Sequence, residues 1–181
     1  MMNKIENYLR EVGVIRATQS GTSETSYYPA ISTLLNAIEQ SLSPKVRCVM
    51  QLQNKGAGMP DGGLFTADQF RVKAFKEQAD KNPLSLLSPS RGVIEIKAPD
   101  HDLNKLAESE QVRRYWEQYR LVLISNYRAF ALIGCTPDGK PALLESFELA
   151  SSEQAFWNLV AHPRSCSKEL RERCEEYLRR V

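Results

Sequence analysis

Two charged residues, Glu95 and Lys97, interrupt a segment that otherwise has the composition of a buried β-strand, Val93-Ile94-Glu95-Ile96-Lys97. Residues two apart on a strand point to the same face, so Glu95 and Lys97 project together while Ile94 and Ile96 face a core. A carboxylate and an ammonium group are costly to bury unless they are paired or bound to a ligand. The pattern therefore predicts a functional site on this strand.

A third candidate, Asp61, lies in the glycine-rich segment 54–63, directly before a strand-like stretch. If that stretch pairs with the strand of Glu95, the two carboxylates come close together. Converging carboxylates form a hard, oxygen-rich site suited to Mg²⁺ or Mn²⁺, and the backbone carbonyl of Ile96 could add a ligand. Such an ion activates water and stabilises charge on a phosphoryl group. Lys97 could orient that water, help to deprotonate it, or offset charge on the phosphorus.

The segment Pro60-Asp61, followed after 33 residues by Glu95-Ile96-Lys97, resembles the PD-(D/E)xK signature of restriction-endonuclease-like nucleases. The resemblance implies an enzyme, a Mg²⁺- or Mn²⁺-dependent deoxyribonuclease that hydrolyses phosphodiester bonds in DNA. It further implies metal binding by Asp61, Glu95 and the Ile96 carbonyl, and catalytic roles for Asp61, Glu95 and Lys97.

Two further elements strengthen this resemblance. Gln111 and Tyr115 look like the QxxxY element of RecB-like nucleases, and their spacing of four places both side chains on one face of a helix. The resemblance implies that they are catalytic residues that shape the pocket. Glu24 is similar to an N-terminal helix glutamate that family members often add, which implies that it could complete the acidic metal site.

One subgroup resembles residues 20–135 most closely: the Mrr-like nuclease domain at the N-terminus of single-polypeptide restriction–modification enzymes, including the type ISP group. There the nuclease precedes a motor or an N6-adenine methyltransferase domain, so the implied partners are DNA, such a domain in the same or a partner chain, and a second copy for double-strand cleavage. The sequence contains neither a Gly-x4-Gly-Lys-Ser/Thr loop nor an Asn-Pro-Pro-Tyr motif, so we expect the nuclease part only. The motifs that carry this resemblance are Glu24-x3-Tyr28-Pro29-Ala30, Gly58-Met59-Pro60-Asp61, Val93-Ile94-Glu95-Ile96-Lys97-Ala98 and Gln111-Val112-Arg113-Arg114-Tyr115.

The order of predicted elements favours an α/β fold: a three-layer, restriction-endonuclease-like arrangement of a central mixed β-sheet flanked by helices, with additional C-terminal helices. We expect a nuclease domain over 1–150 and a helical extension over 151–181 that could connect to a missing domain. The predicted helices span 2–11 (ended by Gly13), 27–42 (with Pro29 in the first turn), 102–119, 151–161 and 167–180. The predicted strands span 46–52, 64–65, 70–75, 92–97, 121–124, 130–133 and 142–147, with an insertion loop over 76–90.

The composition excludes several classes of protein. The chain has 181 residues, of which 42% are hydrophobic and 25% charged, which is typical of a globular protein and excludes general disorder. No apolar run approaches the ~18 residues of a transmembrane helix, and the start lacks the pattern of a secretory signal, so we expect a cytoplasmic protein with no membrane partner.

The four cysteines are expected to be free thiols, and the spacing of His162, Cys166 and Cys174 does not favour a zinc site. A net charge of +2 is too small to hold nucleic acid by itself, so DNA binding must rest on a site.

Each candidate residue also has a simpler interpretation. Glu95 and Lys97 could form an ion pair on a half-exposed strand, and Asp61 could be a turn residue. Tyr115 could belong to the core and Glu24 could merely begin a helix. At the level of function, the alternatives are a catalytically silent DNA-binding or assembly module with a nuclease fold and a hydrolase of small phosphoesters.

Overall fold

The central element of the fold is a six-stranded mixed β-sheet, described by a computed structural model for residues 3–18, 24–70 and 88–181. Its strands are β1 (Val46–Met50), β2 (Gly62–Thr66), β3 (Val93–Ile96), β4 (Val122–Ser125), β5 (Ala129–Cys135) and β6 (Pro141–Glu148). They lie side by side in chain order. Neighbouring strands are antiparallel except β3 and β4, which are parallel.

Helices cover both faces of this sheet. They are α1 (Lys4–Ala17), α2 (Tyr28–Glu39), α3 (Leu103–Ala107), α4 (Glu110–Tyr119), α5 (Glu153–Ala161) and α6 (Lys168–Arg180), with 3₁₀ turns at Thr25–Tyr27, Ala67–Phe70 and Pro163–Ser165. On one face Ile94 and Ile96 share a core with α1, α2, α5 and α6. On the other face Val93 and Ile124 share a second core with α3 and α4. The predicted α/β fold with a mixed sheet between helices is confirmed, and it is consistent with a restriction-endonuclease-like fold. In the described ranges, no helix is both long and apolar enough to cross a membrane.

The pairing of β2 with β3 positions the candidate site. Gly62 pairs with Ile94 and Gly63 with Val93, so the same register, continued by one residue, places Asp61 opposite Glu95. Gly63 lies close to its neighbours: a Cβ there would be 2.6 Å from Cγ of Pro89, so the position leaves no room for a side chain. The antiparallel pairing on which the two-carboxylate prediction depended is therefore present.

The first helix is longer than predicted, because Gly13 does not end it. α1 continues to Ala17, and a Cβ on Gly13 would lie 3.3 Å from both Cγ1 and the carbonyl oxygen of Val160 in α5. A glycine inside a helix costs roughly 1 kcal/mol relative to alanine. Here it lets α5 approach the backbone of α1, so Gly13 serves helix packing rather than termination.

The single helix predicted over 102–119 is two helices in the structure. Asp102 begins α3 as predicted, and its side chain accepts a hydrogen bond from the amide of Asn104 at 2.8 Å. The helix then ends at Ala107. The hydroxyl of Ser109 accepts a hydrogen bond from the amide of Val112 at 3.2 Å, so Ser109 is the N-cap of α4. This second N-cap places Gln111 in the first turn of α4.

Other boundaries differ by a few residues. α2 ends at Glu39 rather than Leu42, and β1 ends at Met50 rather than Leu52. Phe70 lies in a 3₁₀ turn rather than a strand, while residues 71–75 of that predicted strand lie outside the described residues, as does most of the predicted loop over 76–90.

The two C-terminal helices pack against the N-terminal ones. Phe156 of α5 and Cys174, Tyr177 and Leu178 of α6 are buried in the core that also contains α1 and α2. α6 thus has one buried face. Most of its charged side chains are exposed, while Arg171 and Glu175 are partly buried and form ion pairs with Glu6 and Lys4 of α1. A domain boundary near residue 150 and a connection to a further domain stay predictions.

A buried acid in α2 gives a stability prediction. Glu39 is 3% exposed, and among the described residues its Oε2 has no hydrogen-bond partner. Burial raises the pKa of Glu39 to about 7, against smaller opposing effects of the Cys48 amide and Arg91. The folded state therefore binds the proton more tightly than the unfolded state, so stability is lost as pH rises from the ordinary glutamate pKa towards 7.

We expect Glu39→Gln to raise the free energy of unfolding at pH 8 by on the order of 2 kcal/mol and to change it little at pH 4. Urea unfolding at both pH values measures this, and equal effects at the two would contradict it.

Candidate active site

Asp61 lies directly before β2 and is held by two hydrogen bonds. The phenol of Tyr28 donates to Oδ1 at 2.5 Å, and the backbone amide of Ile96 donates to Oδ2 at 2.7 Å. The first donor comes from the start of α2 and the second from the end of β3. A carboxylate oxygen has two lone pairs, so each oxygen of Asp61 can still bind a further partner. Asp61 is thus a positioned acid beside the strand of Glu95, not simply a turn residue.

Glu95 is the most buried acid of the site. Its side chain is 1% exposed, and its Oε1 accepts hydrogen bonds from Lys97 Nζ at 2.6 Å and from Gln111 Nε2 at 2.8 Å. Within the described part of the chain, Oε2 is buried and has no hydrogen-bond partner. The interpretation of Glu95 and Lys97 as an ion pair on a half-exposed strand therefore does not fit, because the carboxylate is withdrawn from water.

The electrostatics of this pair follow from burial and from neighbouring acids. Burial raises the pKa of Glu95 to about 7, and the charge of Asp61 adds to the rise, while Lys97 opposes it. Burial alone would lower the pKa of Lys97, but Glu95, Glu24 and Asp61 together raise it above its ordinary value. Lys97 is therefore an ammonium group at neutral pH, and Glu95 carries a carboxylate in surroundings that disfavour its charge.

Gln111 and Tyr115, the two predicted site residues of α4, extend the hydrogen-bond network of Glu95. Gln111 Nε2 donates both to Glu95 and to the hydroxyl of Tyr115, the latter at 3.1 Å. Tyr115 is buried among the apolar side chains of the second core, and its ring lies against Gly58, where a Cβ would be 3.4 Å from Cε1. Gly58 has a positive φ, which favours glycine. Tyr115 is thus both a core residue and a support for Gln111.

Glu24 lies on the other side of Lys97. Its Oε1 is 3.9 Å from Lys97 Nζ, and its backbone carbonyl accepts a hydrogen bond from the hydroxyl of Tyr127 at 2.5 Å. Five of the six predicted side chains are joined by direct contacts: those of Glu24, Lys97, Glu95, Gln111 and Tyr115. Asp61 is joined to this cluster through its hydrogen bond to the backbone amide of Ile96, the residue between Glu95 and Lys97.

Two residues of this cluster were not predicted to have a role, Tyr28 and Tyr127. The Glu24-x3-Tyr28 spacing is present in the sequence and could have identified Tyr28, because a four-residue spacing brings side chains together near the start of a helix. No local pattern identifies Tyr127, which is 103 residues from Glu24 and has a positive φ. Its contact exists only in the folded chain.

The donor set fits a hard divalent cation. Asp61 and Glu95 supply carboxyl oxygens, and the unpartnered Oε2 of Glu95 is a buried oxygen that no protein donor satisfies among the described residues. The described ranges hold no cluster of three or more histidine, cysteine, aspartate or glutamate side chains that could hold a metal. Two carboxylates suit Mg²⁺, which usually keeps several waters and takes few protein ligands. Coordination of a metal ion by Asp61, Glu95, the Ile96 carbonyl and Glu24 stays a prediction.

The other polar residues considered from the sequence lie apart from this cluster. His162 is exposed, whereas Cys166 and Cys174 are buried as free thiols.

Comparisons with known proteins support the fold assignment. The sequence matches no protein-family model and no curated protein. The structure is similar to a chain in the cryo-EM structure of a DrdV–DNA complex, with a TM-score of 0.53 and 17% sequence identity. The alignment covers 87% of this chain and 13% of that chain, so the present sequence spans only a small part of the length of the protein it matches. At this identity, the similarity shows a shared fold.

Proposed function

We propose that this chain is a metal-dependent deoxyribonuclease domain that hydrolyses phosphodiester bonds in DNA. The observation that carries the proposal is the cluster of buried Glu95 with the partly exposed Asp61 and Lys97 at adjacent strands. One carboxylate oxygen of Glu95 is left without a protein donor among the described residues. The similar chain in the DrdV–DNA complex supports DNA as the substrate.

The metal would be held by the carboxylates of Asp61 and Glu95, with the Ile96 carbonyl as a further ligand. A bound Mg²⁺ or Mn²⁺ supplies positive charge that acidifies water and polarises a phosphodiester oxygen. Lys97 contributes a second positive charge. Because its pKa is raised, it acts as an ammonium donor that orients the attacking water or offsets the negative charge growing on phosphorus. The water oxygen forms a new bond to phosphorus while one P–O ester bond of the DNA strand breaks. One end of the cut strand keeps the phosphate as a monoester, the proton lost by the water passes to solvent, and the leaving oxygen takes up a proton from solvent to become a hydroxyl group.

The remaining residues position these groups. Gln111 and Lys97 both donate to Oε1 of Glu95 and so leave Oε2 for another partner. Tyr28 and the Ile96 amide fix both oxygens of Asp61. A ligand carboxylate whose orientation is fixed before metal binding loses less entropy when the metal binds.

We also propose that the domain is the nuclease part of a larger restriction–modification or DNA-defence system in the cytoplasm. The small share of the DrdV-complex chain that is matched, 13%, fits a nuclease domain joined to motor or methyltransferase domains. A second copy would be needed to cut both strands of DNA, since one cluster can cut one strand.

A plasmid-nicking assay tests the proposed activity. With Mg²⁺ or Mn²⁺ the protein is expected to convert supercoiled plasmid to the open circle, with no conversion in EDTA or with Asp61→Ala. Asp138→Ala is the matched control, because Asp138 is an exposed aspartate in the turn between β5 and β6. Activity that survives Asp61→Ala would overturn the assignment of this site. DNA binding with no cleavage under any metal would favour the silent-module alternative, and cleavage of p-nitrophenyl phosphate esters without DNA cleavage would favour the small-substrate alternative.

Tyr28→Phe is expected to weaken metal binding without loss of the fold. The variant keeps the ring, which is mostly buried, and removes only the hydroxyl that donates to Asp61. Partners that orient a metal ligand typically contribute roughly 10-fold or more to affinity. We therefore expect Mn²⁺ affinity, measured by isothermal titration calorimetry, to fall by roughly 10-fold. Tyr119→Phe, which lies on α4 outside the cluster, is the control, and equal affinities for Tyr28→Phe and wild type would contradict the positioning role.

A further inference from the structure

A basic groove lies between the C-terminal half of α1, the end of α5 and the 3₁₀ turn at Pro163–Ser165. This α1–α5 groove has a volume of about 860 Å³ and is open to solvent. Among the described residues, its lining contains three arginines and one histidine, together with Trp157, and no acidic side chain. The four basic residues are Arg10, Arg16, His162 and Arg164. With a net charge of only +2 for the whole chain, this is a local concentration of positive charge.

Of these four basic residues, Arg16 has the side chain that is best placed to bind an anionic ligand. Its guanidinium carbon lies 3.8 Å from the centroid of the Trp157 ring, and the indole N–H of Trp157 donates to Glu153 at 2.8 Å. The guanidinium therefore lies over a ring that is itself held by a hydrogen bond. Across residues 3–18, 24–70 and 88–181, no carboxylate lies within ion-pair distance of Arg16. An arginine that stacks through its face keeps its N–H donors at the edge, in the fork that matches a phosphate.

The neighbouring arginines are only partly neutralised. Arg10 lies 3.5 Å from Glu6 and Arg164 lies 3.9 Å from the same oxygen of Glu6, while Arg171 contacts the other oxygen at 3.3 Å. The single negative charge of Glu6 is thus shared among three guanidinium groups. The surplus of positive charge remains on the exposed rim of the groove.

The groove lies near the candidate active site. The ring of Trp157 lies 6.2 Å from that of Tyr27, which lies 5.4 Å from the ring of Tyr127. The hydroxyl of Tyr127 donates to the backbone of Glu24, whose carboxylate is 3.9 Å from Lys97. These contacts pass through the buried side chains of Tyr27 and Tyr127, so they place the groove close to the cluster of acids.

We propose that the α1–α5 groove binds the phosphodiester backbone of the DNA strand that runs to or from the active site. The inference rests on the proposed function, since it takes DNA as the substrate. Arg16 and Arg164 would contact phosphates, and the apolar side chains of Val14 and Pro163 would lie against the deoxyribose edges. Contacts of this kind position DNA without reading its sequence. The positive charge of the groove and its proximity to the proposed nuclease site favour DNA over an acidic protein segment as the occupant.

Fluorescence anisotropy with a fluorescein-labelled 24-base-pair duplex tests this proposal. The measurements are made in EDTA, so that binding is separated from cleavage, over a series of KCl concentrations. The double variant Arg16→Ala, Arg164→Ala is expected to bind the duplex roughly 10-fold more weakly than the wild type. The slope of log Kd against log salt should fall by about 1 for each phosphate contact that the variant loses. Arg16→Lys keeps the charge but not the planar fork, so we expect the wild-type slope with a smaller decrease in affinity. Arg179→Ala is the matched control, because Arg179 is as exposed as Arg10, at 49%, and lies in α6 outside the groove.

The outcomes separate this proposal from the proposed function. Wild-type affinity and salt slope in the double variant would overturn the groove proposal, even if the plasmid assay confirms the nuclease. Weakened DNA binding in the double variant would support the groove even if the wild type cut no DNA. A double variant that no longer bound a poly-glutamate peptide but bound DNA normally would overturn the proposal in favour of an acidic protein partner. The melting temperatures of all variants are measured as well. Equal values show that a change in DNA affinity comes from the altered surface and not from loss of the fold.

Discussion

Lys97→Met is expected to lower the rate constant for DNA cleavage by about 10²–10⁴-fold while Mn²⁺ binding is retained. Methionine has a similar length and no charge, so it removes the ammonium group from the acid cluster without leaving a large cavity. Lys97 is not a proposed metal ligand; it donates to Oε1 of Glu95 at 2.6 Å. Removing a cation beside two acids makes the site more negative, so Mn²⁺ affinity should be unchanged or higher.

The contrast between cleavage and metal binding is what makes the Lys97 prediction specific. Nicking rates and calorimetric titrations with Mn²⁺ are measured on the same preparation, with Lys140→Met as the control. Lys140 is an exposed lysine paired with Asp138 in the turn before β6. A variant of Lys97 that lost metal binding together with cleavage would show that the lysine acts through the structure of the site, and cleavage at the wild-type rate would remove Lys97 from the mechanism.

Glu95→Gln is expected to abolish the increase in melting temperature that Mn²⁺ gives to the wild type. An ion that binds only the folded state stabilises it by mass action, and an amide is a much poorer ligand than a carboxylate for a hard cation. In the absence of metal, the same variant should be at least as stable as the wild type at pH 8. The pKa of Glu95 is raised to about 7 by burial and by Asp61, so the ionised side chain opposes folding above that pH. We expect a gain on the order of 1 kcal/mol at pH 8, because the amide oxygen can still accept from Lys97 and Gln111.

Glu39→Gln is the matched control for Glu95→Gln, because both are buried glutamates with a raised pKa and an unpartnered oxygen among the described residues. Both variants should be more stable than the wild type at pH 8 without metal, but only Glu95→Gln should lose the response to Mn²⁺. Scanning calorimetry with and without Mn²⁺ measures both effects. A full response to Mn²⁺ in Glu95→Gln would contradict the assignment of Glu95 as a ligand.

The elements that carry the site could be predicted because their patterns are local. β3 and β4 are short apolar runs, and α2 has buried side chains at intervals of three and four with Pro29 in its first turn. The shared face of Glu95 and Lys97 follows from the two-residue period of a strand, and the distance of 2.6 Å between their charged atoms agrees with it.

The parts that could not be predicted depend on contacts between distant segments. Gly13 has the pattern of a helix end, but the approach of Val160 determines its role. Ser109 resembles an ordinary helix residue until its hydroxyl caps α4. The pairing of Asp61 with the strand of Glu95 was a condition of the hypothesis and not a consequence of the sequence, because the register of β2 and β3 depends on the close packing around Gly62 and Gly63.

X-ray diffraction from crystals soaked in MnCl₂, recorded at the manganese absorption edge, tests most directly whether Asp61 and Glu95 hold a divalent ion. We predict one strong anomalous peak within coordination distance of both carboxylates, next to the Ile96 carbonyl, and no such peak in crystals of Asp61→Ala. Ordered density for both side chains with no peak between them, or with manganese bound only elsewhere, would contradict the proposed metal site and the nuclease mechanism that depends on it.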